Sequence, residues 1–206
     1  MVKARNVMIK IEPNLVLRGT VYEPKKLSLK KAVKDLFGMV VIVRILAPAE
    51  IYGGKICAAL DRQHPRDLFD IKLLLENEGI TEAIRKSFII HLVSHDRPMA
   101  ELLNPNFVDL EKTFNADFEG MTVLKVSREE LEDTRDNLVR TIKEGLTDRE
   151  RQFILSIKKG DPDWTLIGLE GVDRLPAIQW KLLNIKKMGK DKHKQAQRKL
   201  ETCLGR

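Results

Sequence analysis

At 206 residues, with 43% apolar and 33% charged side chains, the chain is long enough for one domain with a real core or for two small ones. No apolar run approaches the roughly 20 residues of a membrane span, and the opening MVKARNVMIKIEPN lacks the apolar core of a secretory signal, so a cytoplasmic protein without membrane contact is expected. The net charge of +7 is unevenly placed: from Lys181 to Arg206 nine Lys/Arg face only Asp191 and Glu201, which leaves residues 1–180 balanced. Such a segment could meet nucleic-acid phosphates, although a solvated, fraying terminal helix accounts for it more simply. The two cysteines, Cys57 and Cys203, lie far apart and outside any metal-ligand spacing, which favours reduced thiols over a disulfide.

In chain order, Asn6–Glu12 alternates apolar and polar positions and reads as a strand, broken by Pro13-Asn14. Leu15–Tyr22 reads as a second strand, and the β-branched run Met39–Leu46 as a third, buried one. Ser28–Phe37 between them is a short helix or a loop. From Pro48 onward the pattern is helical. Pro48 suits a first turn, and Ile51, Tyr52, Lys55, Ile56, Ala59 and Leu60 recur at helical spacing. Gly53-Gly54 inside that helix costs about 1 kcal/mol each, which suggests close approach to another backbone or to a ligand; a crowded helix crossing explains it equally well. Further helices are expected over Arg66–Glu78, stopped by Gly79; from Thr81 to about Ser94; and over Asp109–Phe118. Capping boxes at Ser127 and Thr147 open helices running to about Gly145 and Lys159. Pro176–Lys187 and Asp191–Leu204 close the chain.

The chemistry concentrates between Leu46 and Leu75. Lys55 is a cation on an otherwise apolar helix; it either snorkels to water or faces a phosphate. Arg62, His64 and Arg66 cluster at a helix N-terminus, where backbone donors favour anions, or simply form a charged surface loop. Asp67 and Asp70, spaced i, i+3, share one helix face. Asp67 also suits the helix dipole. Asp70 is crowded by apolar neighbours and calls for a cation such as Arg66 or Lys55. Glu12, at the end of the first strand, could help hold a metal or could sit on an exposed strand face.

These residues resemble a known family. KIE on the first strand, LRGTVY on the second, LAPAEIYGGKICAALDRQHPRDLFD after the third, and the later RPM and PDW are similar to the nucleotidyltransferase AbiEii/AbiGii toxins of type IV toxin–antitoxin and abortive-infection systems. The resemblance runs from about residue 6 to about residue 187 and is most specific over Glu50–Asp70. It implies an α+β chain, the remnant of a polymerase-β-like nucleotidyltransferase sheet of about three strands followed by a mainly helical region. It also implies a partial nucleotidyltransferase core over residues 1–80 and a helical region over 81–206. By the resemblance, Lys55 and Asp70 are the catalytic residues. Lys55, Arg62 and Arg66 bind a nucleoside triphosphate, Glu12 takes the place of a Mg²⁺ ligand, and Asp67 supports the site. The implied partners are an antitoxin of the AbiEi type and tRNA or another RNA that receives a nucleotide. The sequence departs from the family in carrying no Gly-Ser turn followed by Asp-x-Asp. The expectation is therefore an incomplete, inactive relative, and the alternative is a non-catalytic module that binds RNA or the antitoxin.

Overall fold

The computed structural model describes residues 2–4, 7–10 and 18–206. Its strands are short. Strand β1 (Val2–Ala4) pairs antiparallel with β2 (Val7–Ile9), and β3 (Lys25–Ser28) pairs antiparallel with β4 (Ile42–Ile45), in the register Lys25 to Ile45. Helix α1 (Lys31–Phe37) fills the β3–β4 connection and stops at Gly38, whose φ of 61° suits a glycine. The chain is thus α+β and mostly helical, and the three-stranded remnant sheet expected from the sequence is not seen among the described residues. The described residues make two separate two-stranded ladders.

The expected second strand, Leu15–Tyr22, is not seen where it can be judged, since residues 18–22 carry no strand; positions 15–17 lie outside the described residues. The Met39–Leu46 run does contain β4, yet it is not buried. Val40 is 72% and Ile42 66% exposed, and Leu36 and Phe37 of α1 are 76% and 64% exposed. A two-stranded ribbon has no second layer, so its β-branched residues gain pairing without burial.

From Pro48 the local signals and the tertiary packing agree. Helix α2 (Pro48–Arg62) begins with proline in its first turn and ends at Gln63, a non-glycine residue at φ 50°. Helix α3 (Pro65–Asn77) follows after only two residues, with the His64 ring accepting from the Arg66 N–H at 3.2 Å. Helix α4 (Glu82–Val93) is capped by Thr81. The short α5 (Met99–Leu103), which the sequence pattern did not reveal, and α6 (Glu111–Asp117) lead to α7 (Arg128–Gly145) and α8 (Asp148–Lys159). Both capping boxes form, at Ser127 with Glu130 and at Thr147 with Glu150. After two single turns of 3-10 helix, α9 (Pro176–Lys186) and α10 (Lys190–Cys203) complete the fold.

The core is one cluster running from Ile56 to Leu204. Phe88, Phe153, Ile56, Leu60, Leu68 and Ile71 are fully buried in it. At about 25 cal/mol per Å², each such side chain supplies roughly 1.5–3 kcal/mol of stabilisation. Helices α2 and α4 cross through Gly53, where an added Cβ would stand 2.5 Å from Ser87 Oγ and 2.7 Å from the Phe88 nitrogen. The glycine pair therefore serves a helix crossing. Helix α3 packs on α2 and α7, while α8 joins α4 to α10. Arg85 of α4 reinforces that junction, its Nε donating to both Glu150 oxygens at 3.0 Å. The basic C-terminal segment docks instead of fraying: α10 buries Leu200, with Leu204 just beyond it, and contacts α5 and α8. Among the described residues no helix is long and apolar enough to cross a membrane.

Candidate functional site

The α2–α3 hairpin sets the candidate site. Buried residues of α2 (Gly53, Ile56, Cys57, Ala59, Leu60) point into the core, which turns Lys55 and Arg62 outward. Buried residues of α3 (Leu68, Ile71, Leu74) do the same for Arg66, Asp67 and Asp70. The two-residue connection holds the helices close enough for their outward charges to meet. Lys55 Nζ donates to Asp70 Oδ2, and Arg62 donates to Asp67 Oδ1 at 2.8 Å. The side chains of Lys55 and Asp70 are 37% and 38% exposed, so the pair stands at the surface and not in the core.

Of the cations that crowd this segment, the structure gives Asp70 to Lys55. Arg66 is exposed and has no ion-pair partner among the described residues. His64, on the elbow, stands 3.6 Å from Asp117 of α6. Glu12 lies outside the described residues. Cys57 faces the core, and burial pushes its thiol up to about 12, so it is no nucleophile.

Two residues of this region escaped the sequence reading. Glu50, in the first turn of α2, is 5% exposed, and its Oε1 accepts the backbone N–H groups of Val21 and Tyr22 at 2.5 and 3.1 Å. It ties the chain leading into β3 onto α2. Gln63 accepts from the Val108 N–H at 3.2 Å and from Arg135 Nη1 at 3.2 Å, and donates to the Asn106 carbonyl at 2.8 Å. Arg135 also donates to the Val108 carbonyl at 2.7 Å and lies 4.2 Å over the Phe107 ring. Their partners are 28 to 72 residues away in sequence, so no local pattern announces them. The motif Arg97-Pro98-Met99 also works structurally: Arg97 bonds the Asp61 carboxylate at 2.9 Å and closes α2 onto α5, and Met99 is buried.

A lysine ammonium has three donors and no acceptor. Asp70 engages Lys55 and fixes its position, and the lysine side chain remains 37% exposed on the hairpin that also carries the exposed Arg62 and Arg66. That edge suits a multiply charged anion. The described residues do not suit a divalent cation: no group of three or more His, Cys, Asp or Glu side chains among them could hold a metal ion. Asp67 and Asp70 are each engaged by a cation.

The hairpin thus presents a clamped lysine and two arginines at its surface. The model of the nucleotidyl transferase AbiEii toxin family, of type IV toxin–antitoxin systems, matches residues 3–184. The chain belongs to that family, and a toxin of a toxin–antitoxin system implies an antitoxin partner. No curated protein and no solved structure gives a match.

Proposed function

We propose that the chain is the nucleotidyltransferase-like toxin of a type IV pair, and that its α2–α3 hairpin contacts the phosphates of a nucleoside triphosphate. Lys55 bonds the phosphate oxygens, Asp70 positions Lys55, and Arg62 and Arg66 extend the basic edge, with Asp67 holding Arg62. The observation that carries this reading is the Lys55–Asp70 pair across two helices of a chain in this family. In the reaction of such transferases an RNA end hydroxyl attacks the α-phosphate. A new P–O bond forms, the bond to the β-phosphate breaks, pyrophosphate leaves and the hydroxyl proton passes to solvent. Phosphoryl transfer of this kind rests on positioning and charge neutralisation. The described residues supply the cationic wall but no carboxylates that converge on a Mg²⁺ ion. The sequence also carries no Gly-Ser turn followed by Asp-x-Asp, so the chain binds a triphosphate without turning it over. The partner is an antitoxin of the AbiEi type, and the setting is the cytoplasm.

Two measurements test this. Calorimetric titration with each of the four ribonucleoside triphosphates should show binding that Lys55→Met weakens by about tenfold or more. Incubation with tRNA, Mg²⁺ and labelled nucleotides should leave the RNA unlabelled; robust incorporation would defeat the non-turnover part, and absence of any triphosphate binding would defeat the rest. A second reading, a non-catalytic module for RNA, draws on the exposed cations of α10 and is tested separately below.

A further inference from the structure

A cleft of about 370 Å³ lies between α5, α9 and α10, with the end of α8 as its floor, and it shares no residue with the α2–α3 hairpin. The floor holds Lys158, which is 9% exposed. Its Nζ makes one hydrogen-bond contact among the described residues, to the Met188 thioether at 4.0 Å, a weak and uncharged acceptor. Burial alone pulls this ammonium below the ordinary lysine range. Lys181 enters from α9 and donates to the backbone carbonyls of His95 and Arg97. Burial first, and then the charge of Lys158, pulls it down to about 8.

Lys192 and Lys199 of α10 line the same cleft. Both are exposed and neither has an ion-pair partner among the described residues. Of the two acids on the rim, Asp96 accepts the Arg97 N–H at 3.0 Å and its charge reaches Lys181, partly offsetting the burial there, while Glu101 faces Arg97 at 4.0 Å; neither pairs with Lys158. Trp180, half exposed, forms part of the wall.

Burying a charge is costly unless it is paired. A cleft that keeps one buried ammonium without a carboxylate, a second beside it and two more at the mouth is arranged for an anion from solution. The indole at its edge adds a surface on which a flat ring can stack. We infer that this cleft binds the phosphate monoester of a nucleotide. The phosphate sits on Lys158, Lys192 and Lys199 and the base lies against Trp180, whether the nucleotide is free or is the end of an RNA. The inference is independent of the triphosphate reading of the hairpin.

The test is calorimetry on protein carrying Lys55→Ala, Arg62→Gln and Arg66→Gln, so that the hairpin cations do not contribute, with adenosine monophosphate, adenosine and inorganic phosphate as probes. Adenosine monophosphate should bind and adenosine should not. Adding Lys158→Met should weaken the nucleotide by about tenfold or more while the melting temperature holds or rises, because an unpaired buried charge has been removed. The pair Lys192→Gln and Lys199→Gln, both at exposed positions, should weaken it as well without touching the core. Trp180→Ala should weaken the nucleotide and leave inorganic phosphate unaffected. A 5′-phosphorylated oligoribonucleotide that outcompetes its 5′-hydroxyl form by about tenfold assigns the RNA end; no preference, with the free nucleotide still bound, assigns the free nucleotide. If folded protein fails to bind adenosine monophosphate, or binds it equally well after the lysine substitutions, the inference is overturned.

Discussion

Lys55 and Asp70 are both more than a third exposed, which separates a stability role from a binding role. An ion pair at that exposure is worth about 0–1 kcal/mol, because solvent screens it and two flexible side chains must be ordered. Lys55→Met should therefore move the urea-unfolding free energy by less than about 1 kcal/mol while triphosphate affinity collapses. Asp70→Asn keeps the shape but releases the lysine, so affinity should fall by a smaller factor, about three- to fivefold, with Lys55 still present. A loss of about 2 kcal/mol or more in stability with unchanged affinity would make the pair structural.

His91 gives a prediction about pH. Burial, and then the charge of Arg18, holds its imidazole down from 6.5 to about 4. A hydrogen bond with the Glu50 backbone favours the charged ring, but burial outweighs it, and the Glu50 carboxylate stands 3.9 Å away, beyond hydrogen-bond reach. The unfolded imidazole titrates near 6.5, so below that pH the unfolded state takes up a proton that the folded state refuses. Stability from this group is then complete above pH 6.5 and is lost as the pH falls toward 4, by on the order of 3 kcal/mol. Urea midpoints at pH 7, 5.5 and 4.5 should fall steeply in the parent protein and less steeply in His91→Gln.

Among the elements, adjacent glycines in α2 should behave oppositely. At Gly53 a methyl group meets Ser87 and Phe88 backbone atoms at 2.7–2.8 Å, and backbone inside a crossing helix cannot step aside. Gly53→Ala should cost about 1–3 kcal/mol in spite of the roughly 1 kcal/mol that alanine gains in helix propensity. At Gly54 the nearest atoms belong to the His91 ring at 3.4–3.5 Å, a side chain that can yield. Gly54→Ala should be neutral or stabilising by up to about 1 kcal/mol. Thermal melts of the two single variants decide it, and equal effects would refute the crossing geometry.

The helices were legible because their signals are local. Ser127 with Glu130, Thr147 with Glu150, Thr81, Pro48 and Pro176 mark their starts within four residues of sequence, and the ends fall within about two residues of the expected ones. The five-residue α5 was not, since a single turn after Pro98 shows no period. The third strand forms, but its expected burial does not, for a different reason. A β-branched run such as Met39–Leu46 signals strand and burial together, but burial needs a covering layer that the run itself does not encode. In the site, Lys55 with Asp70 could be anticipated from a lone cation and a crowded acid. The Arg62–Asp67 pair, the Gln63–Arg135 network and the Lys158 cleft depend on how distant helices meet.

At the scale of the whole molecule, the +7 charge and the packing of the last helices are inseparable. The excess cations lie on residues 181–206, yet Ile185, Leu200 and Leu204 of the same stretch are 5% exposed or less. Arg151 bonds the Leu204 carbonyl at 2.9 Å, and the His193 ring contacts the Lys158 carbonyl at 2.7 Å. Deleting residues 190–206 would uncover Leu200, Leu204 and the surface they seal, at roughly 1.5–3 kcal/mol per large side chain, so a loss of RNA binding on deletion would report unfolding as much as lost contacts. Substitution at exposed positions separates the two. Lys190, Lys194 and Arg198 are exposed. Changing all three to glutamine should leave stability within about 0.5 kcal/mol per site. If α10 lies along RNA phosphates, each lost contact lowers the slope of log affinity against log salt by about 0.7, so the triple variant should lose about 2 from the slope between 50 and 300 mM KCl. An unchanged slope, with an unchanged melting temperature, would remove this face of α10 from any RNA interface.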